Sequence, residues 1–184
     1  MSEHGITFGA PKIDVDKLRH FKESVIGKLT GGLAGMAKAR KINVVQGYAK
    51  FTSINSLSIE GENGMSSLSF DKAIIAAGSR VTVFPIFETD DPRVIDSTGA
   101  LALKEIPKTM LIVGGGIIGL EMATVYSELG TEVTIVEFVP QIIPGADKDL
   151  VAPLQKRLKS QVKEILTSTK VESIRPLKGG ISVK

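Results

Sequence analysis

Between residues 109 and 137 the chain runs from an apolar stretch through three consecutive glycines into a helical run and a second apolar stretch. No other feature restricts the fold as much. Leu111-Ile112-Val113-Gly114-Gly115-Gly116-Ile117-Ile118-Gly119-Leu120-Glu121 contains G-x-G-x-x-G as Gly114, Gly116 and Gly119. The motif by itself is a weak signal, but here it directly follows an apolar strand and opens an amphipathic helix, the context that dinucleotide binding demands. Gly114 permits the tight turn, Gly116 lets a pyrophosphate lie against bare backbone, and Gly119 lets the helix pack on the strand. Free N–H groups at the helix start then face the phosphates. The same residues also fit a glycine-rich strand-to-helix turn with no ligand.

The fingerprint further needs an acid about 20 residues on, at the end of the second strand. Glu137 fills that place, closing Val133-Thr134-Ile135-Val136. Its carboxylate can accept hydrogen bonds from both hydroxyls of an adenosine ribose and would repel a 2′-phosphate. Phe138, Val139 and Pro140 follow, with no Arg to receive such a phosphate, so NAD is favoured over NADP. Glu121 stands out as a charge among Ile117, Ile118, Leu120 and Met122. Its position alone favours a carboxylate stabilised by the helix N-terminus.

Around this unit the predicted fold class is α/β. Residues 109–137 read as half of a doubly wound, Rossmann-like domain. A second helix over about 148–160 and short strands near Ile165 and Val171 extend it, and residues 181–184 look like a strand that lacks its hairpin partner. Upstream, Leu18, Phe21, Val25, Leu29, Leu33 and Met36 recur at helical spacing after Asp14 and Asp16, which predicts a helix over about 16–39. Gly31 and Gly32 imply either a break in that helix or close packing against its backbone. From residue 42 to 77 the period becomes two, predicting an antiparallel meander that begins at Ile42 and ends in a buried strand over 73–77. That strand stops at Gly78-Ser79, where a ligand or the next segment comes close to the backbone. Residues 80–98, without period, read as a connection between domains.

Composition removes much of the remaining chemistry. The 184 residues contain no cysteine and two histidines, which excludes disulfides, thiol nucleophiles, Cys-based zinc sites and three-His metal centres. Tyr48 and Tyr126 are followed four residues on by Thr52 and Gly130, so neither offers the Tyr–Lys pair of short-chain dehydrogenases. A net charge of +3, scattered along the chain, names neither nucleic acid nor an anionic membrane as partner. The longest apolar run is split by the three glycines and falls short of the ~18–20 residues of a membrane span. MSEHGITFG lacks the basic and apolar regions of a signal peptide, so a cytoplasmic location is expected.

AIIAAGSR, a Pro-containing connector, DSTGAL, LIVGGGIIGLEMATVYSELG and VEFVPQIIPGADKD occur in an order and spacing that resemble the pyridine-nucleotide flavoprotein disulfide reductases. The likeness covers essentially the whole chain, and LTGGLAGMAKARK is similar to a stretch of the family's FAD domain. Within the family, the pattern is most similar to the bacterial flavoproteins of the 2-oxo-acid dehydrogenase complexes. Soluble transhydrogenases or mercuric reductases are the neighbouring alternative, and a noncatalytic NAD-binding module is the reading from another class.

The resemblance implies FAD and NAD as cofactors, lipoyl domains of those complexes as partners, and a homodimeric parent protein. It implies that residues 1–82 are the later part of an FAD-binding domain and 83–184 a truncated NAD-binding domain. The family's FAD-binding G-x-G-x-x-G, its redox-active C-x₄-C and its His–Glu pair do not occur in this sequence. An internal portion without dihydrolipoamide activity of its own is therefore expected. Carried over by position, the likeness puts Gly114, Gly115, Gly116, Ile117 and Ile118 at the NAD pyrophosphate, Glu137 at the ribose and Val171 beside the adenine. Ala49 falls on the strand that meets the FAD adenine. Ala76-Ala77-Gly78-Ser79 matches an A-T-G-S stretch near FAD, with Ala77 in place of Thr. Glu121 matches a Glu that pairs with a lysine beside the flavin, a role that supersedes the helix-terminus reading.

Overall fold

The computed structural model describes His4, Gly5, Gly9 and residues 11–184. Most of the N-terminal stretch read for targeting features lies outside these residues. Contacts divide the chain into two compact units, one made of the described residues up to Phe21 with Val81–Lys184, the other of Lys22–Arg80.

Helix α1, Val15–Ala39, begins where the sequence predicts. Asp14 Oδ1 accepts the Lys17 N–H at 3.0 Å, satisfying one of the free donors of the first turn. The helix runs through Gly31 and Gly32 without a break, and no atom lies within 4 Å of a Cβ built at either. Neither alternative expected for that pair is therefore realised. No residue of α1 is buried. Near its start Arg19 donates to the carbonyls of Leu103 and Lys104 at 3.1 and 3.0 Å, which places the first turns of α1 in the first unit.

In the second unit β1 (Tyr48–Ser53), β2 (Ser56–Gly61) and β3 (Gly64–Ser69) form an antiparallel meander in the order β1-β2-β3. Gly61 pairs with Gly64 across the tight turn, where Gly64 has φ +96°. Two expectations are corrected here. Residues 42–46 pair with nothing as a strand, and the meander starts only at Tyr48. Residues 73–77 are not a buried strand either, since Ile74 and Ile75 are 95% and 76% exposed. An all-apolar strand of the parallel kind depends on neighbours at its edges and on both faces, and no described strand pairs with this one.

In the first unit β4 (Thr109–Val113), α3 (Ile117–Glu128), β5 (Glu132–Val136), α4 (Lys148–Leu158) and β6 (Glu164–Leu166) alternate as β-α-β-α-β. The sheet is parallel in the order β4-β5-β6, with Val113 opposite Val136 and Val136 opposite Leu166. Leu120, Ala123 and Tyr126 of α3, Val133 and Ile135 of β5, and Val151 and Leu158 of α4 share one buried cluster with Ile142. The supposed connector ends in a short helix that periodicity missed, α2 (Ser97–Ala102). Asp96 caps it by accepting the Gly99 N–H at 2.8 Å, and the buried Tyr126 hydroxyl donates to Ala100 O at 2.8 Å. Six residues are too few to show a helical period, so only the cap signals it.

The last strand is also corrected. β8 (Gly180–Val183) has its partner within the chain, pairing antiparallel with β7 (Ile174–Leu177). Val171 lies in a loop, not in a strand. Among the described residues no helix is long and apolar enough to cross a membrane.

Candidate functional site

Because β4 and β5 are parallel neighbours in register, the glycine turn after Val113 and the acid after Val136 leave the same end of the sheet side by side. The crevice beyond the carboxyl ends of parallel strands is where such folds bind ligands. Gly114 turns at φ +112°, and its N–H donates to Val136 O at 2.8 Å. At Gly119 a Cβ would overlap Gly114 O, so the helix can start this close to the turn only with glycine there.

Gly115 shows a demand that the motif does not reveal. Its N–H donates to Glu137 Oε2 at 2.7 Å, and Glu137 Oε1 accepts the Val139 N–H at 2.9 Å. Glu137 is only 7% exposed, yet both its oxygens have backbone donors, as a buried carboxylate requires. A Cβ on Gly115 would meet Ile142 Cγ2 at 2.9 Å and the Glu137 side chain at 3.2 Å.

Gly116 is the opposite case. As N-cap of α3 it has no side chain, and a Cβ built on it meets nothing within 4 Å. Leu120 is the first residue whose N–H reaches a carbonyl of this helix, that of Gly116. The N–H groups of Ile117, Ile118 and Gly119 thus lie before the first helical bond, at the positive end of the helix dipole. The Ile117 and Ile118 side chains are exposed beside this open space. The turn combines bare backbone, unclaimed donors and a fixed acid, which suits the pyrophosphate and ribose of a dinucleotide.

Glu121 lies one turn further along α3, exposed, with exposed Ile117, Ile118 and Val125 around it, and its carboxylate has no hydrogen bond or ion pair among the described residues. Val171 is buried. The segment leading to it is tied to the acid's loop, since Thr169 N–H donates to Glu137 O at 2.9 Å and Ser168 N–H to Val139 O at 3.0 Å.

The remaining expected site residues belong to the second unit. Ala49 is exposed on β1 opposite Ile59, and Ala77, Gly78 and Ser79 are exposed outside any element, with Gly78 at φ +71°. Within the first unit the structure brings residues 114–119, Glu137 and the loop before Val171 together at one end of the parallel sheet; the other four belong to the second unit. Ile142 and Ile143 are site neighbours that sequence reasoning did not single out. The signal for them was an apolar pair between Pro140 and Pro144, within six residues of the acid.

The family model for pyridine nucleotide-disulphide oxidoreductases matches residues 4–184. The chain belongs to this family. Its curated relatives include dihydrolipoyl dehydrogenase of Vibrio cholerae, 54% identical over 183 residues, and that of Haemophilus influenzae, 50% identical over 183 residues. These matches cover 100% and 99% of the chain but 38% of each relative, so the chain spans well under half of their length. Among solved structures, the HOCl-induced flavoprotein disulfide reductase RclA from Escherichia coli superposes with a TM-score of 0.80 at 31% identity, covering 91% of this chain and 38% of that one. LpdA from Mycobacterium tuberculosis, at 19% identity and a TM-score of 0.84, covers 95% of this chain and 40% of that one, and shows that the fold is shared.

Proposed function

We propose that this chain is the NAD-binding portion, with an adjoining part of the FAD-binding portion, of a dihydrolipoyl dehydrogenase. In this reading residues 83–184 hold NAD and residues 1–82 belong to the FAD domain. The observation that carries it is the Gly115 N–H bound to Glu137 Oε2 at 2.7 Å beside the open N-terminus of α3. Identity of 54% to a dihydrolipoyl dehydrogenase along the whole chain supports the choice within the family.

Gly114 makes the turn, Gly115 keeps the acid against it, and the Gly116, Ile117 and Ile118 backbone receives the pyrophosphate. Gly119 holds the helix at its start. Each Glu137 oxygen accepts one backbone N–H and retains a second acceptor position for a ribose hydroxyl. Its charge disfavours a 2′-phosphate, so NAD(H) is chosen over NADP(H). Val171 lies on the adenine side.

Ala49, Ala77, Gly78 and Ser79 are assigned to FAD, although in the described residues they are exposed and form no enclosed cradle by themselves. When bound, NAD supplies the hydride acceptor and FAD the electron relay of the longer protein. Glu121, exposed on α3, would pair with a flavin-adjacent lysine there. A cytoplasmic homodimer that serves the lipoyl domains of 2-oxo-acid dehydrogenase complexes completes the proposal.

The test is a titration of the 184-residue chain with NADH and NADPH. NADH should bind more tightly, and Glu137→Ala should narrow the preference. Equal or tighter NADPH binding by the unmutated chain overturns the assignment.

A further inference from the structure

The loop that follows Glu137 also holds the glycine turn. Ile143 N–H donates to Gly115 O at 2.8 Å, while Gly115 N–H donates to Glu137 at 2.7 Å, so both polar groups of this one glycine are engaged by the same loop. Ile142 is fully buried, and its Cγ2 occupies the place a Gly115 side chain would take, 2.9 Å from a Cβ built there. Ile143 sits at φ +48°, a conformation that β-branched residues rarely adopt. Such strain persists only where the surroundings impose it. The loop is closed on itself as well, with Ala146 N–H donating to Ile143 O at 3.1 Å and Gln141 Nε2 to Ala146 O at 2.9 Å.

We propose that Ile142 and Ile143 are positioning residues for dinucleotide binding: they clip Gly115 in place, which keeps the Glu137 carboxylate beside the turn and leaves the Gly116, Ile117 and Ile118 amides for the pyrophosphate. The inference rests on the dinucleotide-binding reading above. It adds that phosphate binding and ribose selection are mechanically one unit, because a single residue joins the turn to the acid. Loosening the clip should therefore weaken NADH binding and lower the NADH-over-NADPH preference together.

The test compares paired variants of the 184-residue chain. Ile143→Pro removes the donor and is incompatible with φ +48°, whereas Ile143→Gly keeps the donor and accepts that conformation. Ile142→Ala vacates the contact with Gly115, and Ile142→Val largely keeps it. Ile143→Pro should lose roughly ten-fold in NADH affinity, the scale of one hydrogen bond, and Ile142→Ala should weaken it as well, each with a reduced preference over NADPH. Ile143→Gly and Ile142→Val should bind nearly as the unmutated chain does.

Hydrogen exchange in the unmutated chain of the Gly115 amide, which donates to Glu137, and of the Ile143 amide, which donates to Gly115 O, tests the clip independently of how the variants fold. Slow exchange of both relative to the Gly116 amide is expected. Unchanged affinity and preference in folded Ile143→Pro and Ile142→Ala, or fast exchange at Gly115 or Ile143, overturns the proposal. If the unmutated chain binds no NADH, the dinucleotide reading itself falls, while the Gly115 and Ile143 exchange rates still report on the clip.

Discussion

The two units contain similar apolar segments but use them differently. In the first, Val133, Ile135, Ile142 and Leu158 are almost wholly shielded from water, because α3 and α4 cover the parallel sheet. In the second, Ile59 is the one apolar residue buried among those described, and Leu29, Leu33, Ile74 and Ile75 are exposed. A helix or sheet presents an apolar face that must pack against another layer. The first unit contains both layers in its own sequence, and the second does not bring its layers together. A local apolar pattern therefore makes an element, but a core requires a matching element.

The largest effect should come from truncating equivalent side chains in the two units. Ile135→Ala should destabilise the first unit by about 2–5 kcal/mol, while Ile74→Ala should change stability by less than about 0.5 kcal/mol, both read from denaturant unfolding. Comparable losses at the two positions would break the contrast.

A second pair sharpens the comparison inside the site. Gly119→Ala places a methyl group against the Gly114 carbonyl and should cost about 1–3 kcal/mol along with NADH binding. Gly116→Ala meets open space, so folding should be little changed while NADH binding weakens. Unfolding curves and NADH titrations on both variants separate the packing glycine from the binding glycine.

The smallest effect concerns the segment before α2. The Asp91 carboxylate is bonded by Arg93 at 2.9 and 2.7 Å, and these hydrogen bonds lower its pKa to about 2. Arg93 also donates to Leu177 O at 2.8 Å, joining this segment to the β7–β8 hairpin. A carboxylate with a depressed folded pKa contributes stability above its ordinary value, near 3.8, and loses it as the pH falls towards 2. The pair is at the surface, so the change should be slight. Asp91→Asn should remove that part of the acid dependence, as measured by thermal unfolding between pH 5 and 2.

Several features were legible from residue order alone. The run from Thr109 to Glu137 specified strand, glycine turn, helix and strand, since a period of two or 3.6 and a glycine at a tight turn are local properties. It also marked Gly114, Gly119 and Glu137 as residues to examine. The helix over about 16–39 was visible on the same ground, as was the meander, although its start was expected at Ile42 and lies at Tyr48. The failures were those where a partner decides the outcome. Residues 73–77 have every local mark of a buried strand and no described neighbour to pair with, and α2 was too short to show a period.

Residue order alone specifies a βαβ unit with a phosphate-type turn and an acid after the second strand, because each of those signals is local. It took the folded sheet to hold Gly115, a variable position of the motif, at both its polar groups, by Glu137 and by Ile143. That bond crosses 22 residues of chain and exists because parallel pairing in register brings Val113 beside Val136. Such contacts depend on which strand ends become neighbours, a property of the folded sheet that no local pattern contains.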